Sequence, residues 1–388
     1  MEPLLYFALV AAFIAFGEFI STRTRAAIPS VFASACCFIV AFWTFAPKDL
    51  VTKASFNPAF VNVAISLLLV HLGTLMNLKK LFEQWRAVSI SLLGVVGTLT
   101  IALTLGRALF DHATVIAVTP PLVGGVVASL LMTNALTAKG LTTLVALPVS
   151  MFVLHSFAGY PIAAWCLRRE GRRLLALTPE HTAPGSEKTP ATLRKKLIPP
   201  LPENYASPAF ILTKLILIAL LAAWIAALSN NKLNQHVLCL VLGVIFCETG
   251  FLEEQALNKA GVFNWLIFGL MAFIFAQLAA TTPEGVASIF VTIASLLALG
   301  ILGMFIVSFI ASPFLGLSRE MGFACALTAL FGFPADYVIT EEVCRSLGKT
   351  EAEYQRLMDH MLPKMLVGGF ATVSIASVVI AGFFVNLL

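Results

Sequence analysis

The chain has 388 residues, of which 59% are hydrophobic and 12% charged, with 25 Lys and Arg against 20 Asp and Glu for a formal net charge of +5. Its mean hydropathy is +0.93. Soluble domains average about 45–50% apolar and about 25% charged residues, so the composition excludes an ordinary soluble enzyme and points to the bilayer. The positive excess forms no nucleic-acid-binding patch. The seven cysteines, Cys36, Cys37, Cys166, Cys239, Cys247, Cys325 and Cys344, lie mostly inside apolar runs without CxxC spacing, as small core residues do.

The first segment, MEPLLYFALVAAFIAFGEFI, carries an acidic residue and no basic stretch, which reads as a retained membrane helix rather than a cleaved signal. Apolar runs follow at 4–20, 27–46, 59–78, 87–110, 113–137 and 141–167. A second set falls at 210–229, 236–252, 261–281, 286–311, 315–340 and 359–387. A helix needs about 20 apolar residues to cross a hydrocarbon core of about 30 Å. Between the sets, residues 168–208 are basic at both ends and rich in Pro, Thr and Ser, a solvated linker dividing the chain into 1–167 and 209–388.

Lys and Arg accumulate in short cytoplasmic loops. Arg23 and Arg25 therefore put the loop after the first run inside, and Lys79, Lys80 and Arg86 do the same after the third. Six crossings in the first half would leave the basic linker outside, so one run does not cross. The run 113–137 contains Thr119-Pro120-Pro121-Leu122-Val123-Gly124-Gly125, an interruption that a regular helix does not tolerate cheaply. It reads as a re-entrant hairpin or broken helix. Its counterpart within 315–342 contains Gly332-Phe333-Pro334-Ala335-Asp336. Non-helical backbone at membrane depth survives only inside protein or along a cavity, and paired interruptions point to a transport site. The expected fold is thus all-α integral membrane, with two inverted five-helix repeats and about ten transmembrane helices. Both termini are expected outside and the linker in the cytoplasm. An offset of about 206 residues superposes His71-Leu72 on Gln277-Leu278 and Gly125 close to Gly332. Leu147-Pro148 meets Leu362-Pro363 after a short insertion.

Ala27-Ile28-Pro29-Ser30, HLGTLMNLKKLFEQWRAV at 71–88, Gly124-Gly125, AGYPIAAWCLRR at 158–169 and GFPADYVITEEVCRSLG at 332–348 occur in an order that resembles the glutamate:sodium symporter (ESS) family. That resemblance implies two inverted five-helix repeats with re-entrant loops, sodium as coupling ion, glutamate or another carboxylate as substrate, a bacterial inner membrane and a homodimer. At the first tip Val126-Val127-Ala128 follow the glycines and the second tip is acidic, both departures from the family. They leave the substrate open.

The expected substrate-binding residues are Thr119, Gly124, Gly125, Ser129, Asn134, Gly332 and Thr340, and the expected sodium ligands are Asp336 and Thr133. Glycine admits close backbone approach. A helix starting after each break offers partially positive N–H groups to an anion. An acid at membrane depth expects a cation or proton. The plainer alternatives are helix packing for the glycines, own-helix hydrogen bonds for the hydroxyls and a helix cap for Asp336. Glu341 and Glu342 read as cytoplasmic rim charges, Glu18 as a partner of Arg23 or Arg25, and Lys364 as a snorkelling side chain. His155 reads as an interhelical histidine, while His71 and Gln277 either face a cavity or bond between helices.

No nucleophile with its base, metal-ligand spacing or phosphate loop occurs, so neither an enzyme nor a cofactor other than the coupling ion is expected. The leading function is cation-coupled symport of a small organic anion, with membrane lipid as surroundings. A proton-coupled carrier or exchanger is the alternative, and a channel the more distant one.

Overall fold

In the computed structural model every regular element is helical, and no strand forms among the described residues, which are 2–75, 84–177, 198, 207–229 and 235–388. Helices satisfy their backbone groups segment by segment, as a chain leaving water must. Among the described residues, six helices are long and apolar enough to cross a membrane: Glu2–Thr24, Trp85–Leu109, Ala146–Ala176, Pro208–Leu228, Phe263–Ala280 and Ile289–Ala311. The protein is therefore an all-α membrane protein. The remaining runs form shorter pieces, Ser30–Thr44, Pro58–Thr74 and Gln235–Thr249 among them. A 15-residue helix reaches about 22 Å at about 1.5 Å per residue, short of a full bilayer core.

In chain order the helices are α1 (Glu2–Thr24), α2 (Ser30–Thr44), α3 (Leu50–Lys53), α4 (Pro58–Thr74), α5 (Trp85–Ile101), α6 (His112–Leu122), α7 (Val126–Ala138) and α8 (Ala146–Ala176). They continue with α9 (Pro208–Leu228), α10 (Gln235–Thr249), α11 (Ala256–Lys259), α12 (Phe263–Ala276), α13 (Pro283–Ala311), α14 (Arg319–Leu327), α15 (Ala335–Leu347), α16 (Glu351–Gly369) and α17 (Ser377–Val385). A π-helical stretch, Ala102–Gly106, extends α5, and a second one, Phe370–Ala376, joins α16 to α17. Several starts are set by side chains that accept from the first turn: Asn57 from Phe60 N at 2.9 Å, Asp111 from Thr114 N at 2.9 Å, Ser207 from Phe210 N at 3.3 Å and Ser318 from Met321 N at 3.1 Å. Pro58 and Pro208 occupy first-turn positions, where the missing N–H costs nothing. α8 runs past residue 167 through Arg168–Arg173 to Ala176. The linker stretches 178–197 and 199–206 lie outside the described residues.

The chain groups into two compact units. One comprises Met1–Ser55, Gln84–Arg172 and Met271–Leu388; the other comprises Phe56–Glu83 and Arg173–Leu270. In the first, α5 and α13 approach until backbones touch. A Cβ at Gly97 would lie 2.3 Å from the Gly303 carbonyl oxygen, and one at Gly303 would lie 2.3 Å from that of Gly97. Thr98 Oγ1 donates to the Gly300 carbonyl at 2.9 Å across the same contact. Small residues permit this closeness where lipid supplies no hydrophobic drive between helices. α14 packs against α5, α13 and α16, and α17 packs against α6 and α7.

The second unit is built on α4, α9 and α10, with Gly73 and Gly243 giving a like approach: a Cβ at Gly243 would lie 2.3 Å from the Val70 carbonyl oxygen. Here His71 is fully buried. Its Nδ1 accepts from Leu257 N at 3.1 Å, so His71 bonds between elements of this unit. Gln277 instead lines a small cavity of the first unit, about 30 Å³, with Phe152, Ser156 and Tyr160.

Candidate functional site

Both interruptions expected from the sequence are breaks between helices, and both lie in the first unit. α6 ends at Leu122 and α7 begins at Val126, with Gly125 extended at φ −87° and ψ −163°. Pro120 and Pro121 sit in the last turn of α6, where the chain is about to leave the helix. At the second break α14 passes through a 3-10 turn, Thr328–Leu330, and α15 starts at Ala335. Gly332 holds φ +61°, a left-handed conformation that a Cβ disfavours, and the Phe333–Pro334 peptide is cis. The opened backbone finds partners locally. Thr328 O accepts from Phe331 N at 3.2 Å and Gly332 N at 2.8 Å, and Ser156 Oγ on α8 donates to Leu330 O at 3.0 Å. The Tyr160 and Phe331 rings meet at 5.5 Å.

The two breaks meet a common side chain. A Cβ at Gly125 would lie 2.8 Å from Val373 Cγ1, and one at Gly332 would lie 3.1 Å from Val373 Cγ2. Gly124 abuts Ser377 in the same way at 2.6 Å. The rod formed by α16, the π stretch and α17 thus runs from the second break to the first, with Val373 between their glycines. Ile116 and Met132, one from each arm of the first break, pack with Phe384 of α17. Two 13-residue helices, α7 and α15, therefore begin on either side of one valine, their N-termini carrying partial positive charge.

Asp336, in the first turn of α15, is fully buried. Its Oδ1 accepts from Tyr337 N at 2.7 Å, while its Oδ2 has no hydrogen-bond partner. Among the described residues no basic side chain pairs with it. Oδ2 faces Gly369, whose Cβ, if present, would lie 2.7 Å away and 3.6 Å from Thr328 Cβ. Thr328 donates its hydroxyl proton to Cys325 O at 2.6 Å, and Thr372, one turn after Gly369, donates to Gly368 O at 3.0 Å. Each hydroxyl has thereby committed its proton and keeps its lone pairs. Oxygen donors of this kind suit a hard monovalent or divalent cation. Among the described residues no cluster of three His, Cys, Asp or Glu side chains stands ready for a metal ion.

The other expected residues divide by position. Ser129 is buried in the first turn of α7, next to the break. Thr119 is buried and donates to Val115 O at 2.6 Å, and Thr340 is buried and donates to Asp336 O at 2.6 Å, so both hydroxyls bond their own helices. Thr133 Oγ1 is buried without a partner, two turns along α7 from Gly125. Asn134 is exposed about 13 Å along the same helix, at about 1.5 Å per residue, away from the break. His155 is buried against the Phe152 ring with Nδ1 unpartnered, and Lys364 donates to His360 O at 2.5 Å.

The two acids expected at the rim differ from each other. Glu341 pairs with Arg345 at 2.7 Å near the surface. Glu342 instead turns inward, accepting from Ser30 N at 3.0 Å and Ser21 Oγ at 2.9 Å. It supplies the first turn of α2 with an acceptor that Pro29, at the cap position, lacks. The residues that sequence reasoning missed are Thr328, Gly369, Thr372, Val373 and Ser377. The one signal for them was the Gly368-Gly369 pair inside the last apolar run.

No family model matches the chain, and no curated protein is significantly similar to it.

Proposed function

We propose that the protein is a secondary active transporter, with the two helix breaks as substrate site and Asp336 as coupling site. The observation that carries this reading is the meeting of both glycine breaks at Val373, beside a buried carboxylate with an unpartnered oxygen. Paired helix N-termini favour an anion. A carboxylate held away from water calls for a cation or a proton. Together these support sodium-coupled symport of a small organic anion, glutamate or another carboxylate, as the resemblance to the glutamate:sodium symporters implies. Gly124, Gly125, Ser129 and Gly332 would present the anion with backbone and hydroxyl donors, and Asp336 with Thr328 would hold sodium. In this reading the segments 1–167 and 209–388 are inverted five-helix repeats of a bacterial inner-membrane homodimer, joined by a cytoplasmic linker, with both termini outside.

A proton-coupled carrier or exchanger is the second reading. The lack of a basic partner for Asp336 among the described residues favours it, because a single proton on Oδ2 removes the unpaired charge.

Uptake of labelled glutamate and other dicarboxylates into proteoliposomes, under a sodium gradient, a proton gradient or neither, tests both. Sodium-driven uptake that Asp336→Asn abolishes, without lowering the melting temperature, supports symport. Proton-driven uptake selects the second reading. Normal sodium-driven uptake by Asp336→Asn refutes the ion assignment, and failure across the carboxylate panel refutes the anion.

A further inference from the structure

We infer that a lateral groove of the first unit is a binding site for one anionic phospholipid of the cytoplasmic leaflet. The groove lies between α8 and α13 and measures about 820 Å³. Its walls are apolar, Leu154, Phe157 and Ile162 on α8 facing Phe290, Leu297 and Phe305 on α13, with Phe323 of α14 closing one end. On a protein in a bilayer such a groove takes an acyl chain. Apolarity alone does not choose among lipids; the groove's end does.

Three arginines gather at the end closed by Phe323. Arg319 stands one helical turn before Phe323 on α14, and its guanidinium lies 4.8 Å from the centre of the Phe309 ring. That ring in turn touches groove-lining Phe305, centre to centre at 4.8 Å. Arg169 lies two turns beyond Ile162 on α8, 5.0 Å from the centre of the Trp165 ring, and reaches Glu320 at 3.7 Å. Glu320 follows Arg319 directly, so the contact fixes the two arginines at the same end. Arg86 sits beside the loop that precedes them, close enough that a Cβ on Gly316 would lie 2.9 Å from its guanidinium. Arg169 and Arg319 are exposed, so their charges are open to a ligand.

The depth of this cluster is also marked. Trp85, Trp165 and Phe314 are exposed around it, Phe314 at 86%. Exposed tryptophans beside arginines mark the level of the headgroups, and the basic excess there marks the cytoplasmic side. An acyl chain in the groove thus ends where a phosphate meets Arg169 and Arg319, with Arg86 flanking. Arginine's planar fork suits phosphate oxygens. Two acids accompany the cluster, Glu320 against Arg169 and the buried Glu170, which accepts from Ser318 Oγ at 2.6 Å, so the three arginines outnumber them. None of this depends on what the protein carries, because the groove, the rings and the arginines lie outside the breaks around Val373.

Lipid binding to the purified, delipidated full chain tests the site, by native mass spectrometry and by thermal shift with dioleoyl phosphatidylglycerol, dioleoyl phosphatidylcholine or soluble glycerol 3-phosphate. We expect one phosphatidylglycerol retained per chain, no comparable retention of phosphatidylcholine, and no displacement by millimolar glycerol 3-phosphate. Replacing both Arg169 and Arg319 by Gln should weaken phosphatidylglycerol binding about thirtyfold, from roughly fivefold per basic residue near an anionic headgroup. Ala298→Phe, which fills the groove and leaves the arginines alone, should abolish retention of the same lipid. Equal retention of the two lipids by the wild type overturns the proposal, whatever the variants do. Displacement by glycerol 3-phosphate overturns it in favour of a free-phosphate site.

Discussion

Gly369→Ala tests the contact at the centre of the candidate site. The added methyl would stand 2.7 Å from Asp336 Oδ2, nearer than any relaxed contact, and 3.5 Å from Gly332 Cα, which is ordinary packing. Overfilling a packed interior costs about 1–3 kcal/mol. Gly369 has helical backbone at φ −61° and ψ −44°, so alanine also returns about 1 kcal/mol of helix propensity. The expected net effect in the wild type is a destabilisation of about 0–2 kcal/mol. In an Asp336→Ala background the carboxylate is gone, and the nearest neighbours of the same methyl are Gly332 Cα at 3.5 Å and Thr328 Cβ at 3.6 Å, ordinary distances. Only the propensity gain then remains, so Gly369→Ala should stabilise that background by about 1 kcal/mol. The change of sign corresponds to a coupling of about 1–3 kcal/mol between the two positions, measurable by a double-mutant cycle of denaturant unfolding in mixed micelles. Equal effects of Gly369→Ala in the two backgrounds would refute the placement of Oδ2 against Gly369.

Gly332→Ala should destabilise by about 1–2 kcal/mol, because φ +61° is strained for a residue with a Cβ, while Gly332→Asn should lose less; unfolding midpoints of the two variants decide. Asp111→Ala should cost about 1 kcal/mol through loss of the α6 cap, read from the same unfolding curves. Hydrogen bonds from Thr114, side chain first and backbone second, hold the Asp111 carboxyl below its ordinary range. A carboxyl depressed on folding contributes stability that is present above its unfolded value of about 3.9 and is lost as pH falls through the lower folded value. The wild type should therefore lose this contribution below about pH 4, and Asp111→Ala should show a flatter acid limb.

The parts of this architecture that were legible in the sequence are those where a local chemical rule is strong. Pro120-Pro121 followed by Gly124-Gly125, and Gly332 followed by Pro334 next to an acid, are strong helix-breaking signals, so both interruptions could be located without coordinates; the same Gly-x-Pro spacing at Gly159 and Pro161 lies within the continuous α8. Asp336 stood out because an acid deep in an apolar run is costly. The π stretch Phe370–Ala376 left no such mark, since it contains no proline and no charge and reads as ordinary membrane helix. Its role comes from packing between two distant breaks, which no local pattern encodes. Glu342 was misjudged for the same reason: its neighbours Glu341 and Arg345 suggest a wet rim, whereas its acceptor serves the start of α2, more than 300 residues earlier in the chain. Asn134 shows the limit of proximity in sequence: the rise of α7 carries it about 13 Å from the break, at about 1.5 Å per residue, to an exposed position.

The α5–α13 contact has a consequence for how this unit can deform. Where two helices touch through side chains, rotamer changes lubricate a slide of one along the other. Gly97 and Gly303 leave no such layer, because each backbone rests on the other's carbonyl. A slide along this face would drive Ile101 or Val307, one turn on, into the crossing, where Ile101 Cγ1 and Val307 Cγ2 already stand 2.8 and 2.7 Å from where a Cβ on Gly303 and on Gly97 would lie. The crossing therefore resists sliding, so a rearrangement at the breaks around Val373 is expected to keep α5 and α13 together as one body.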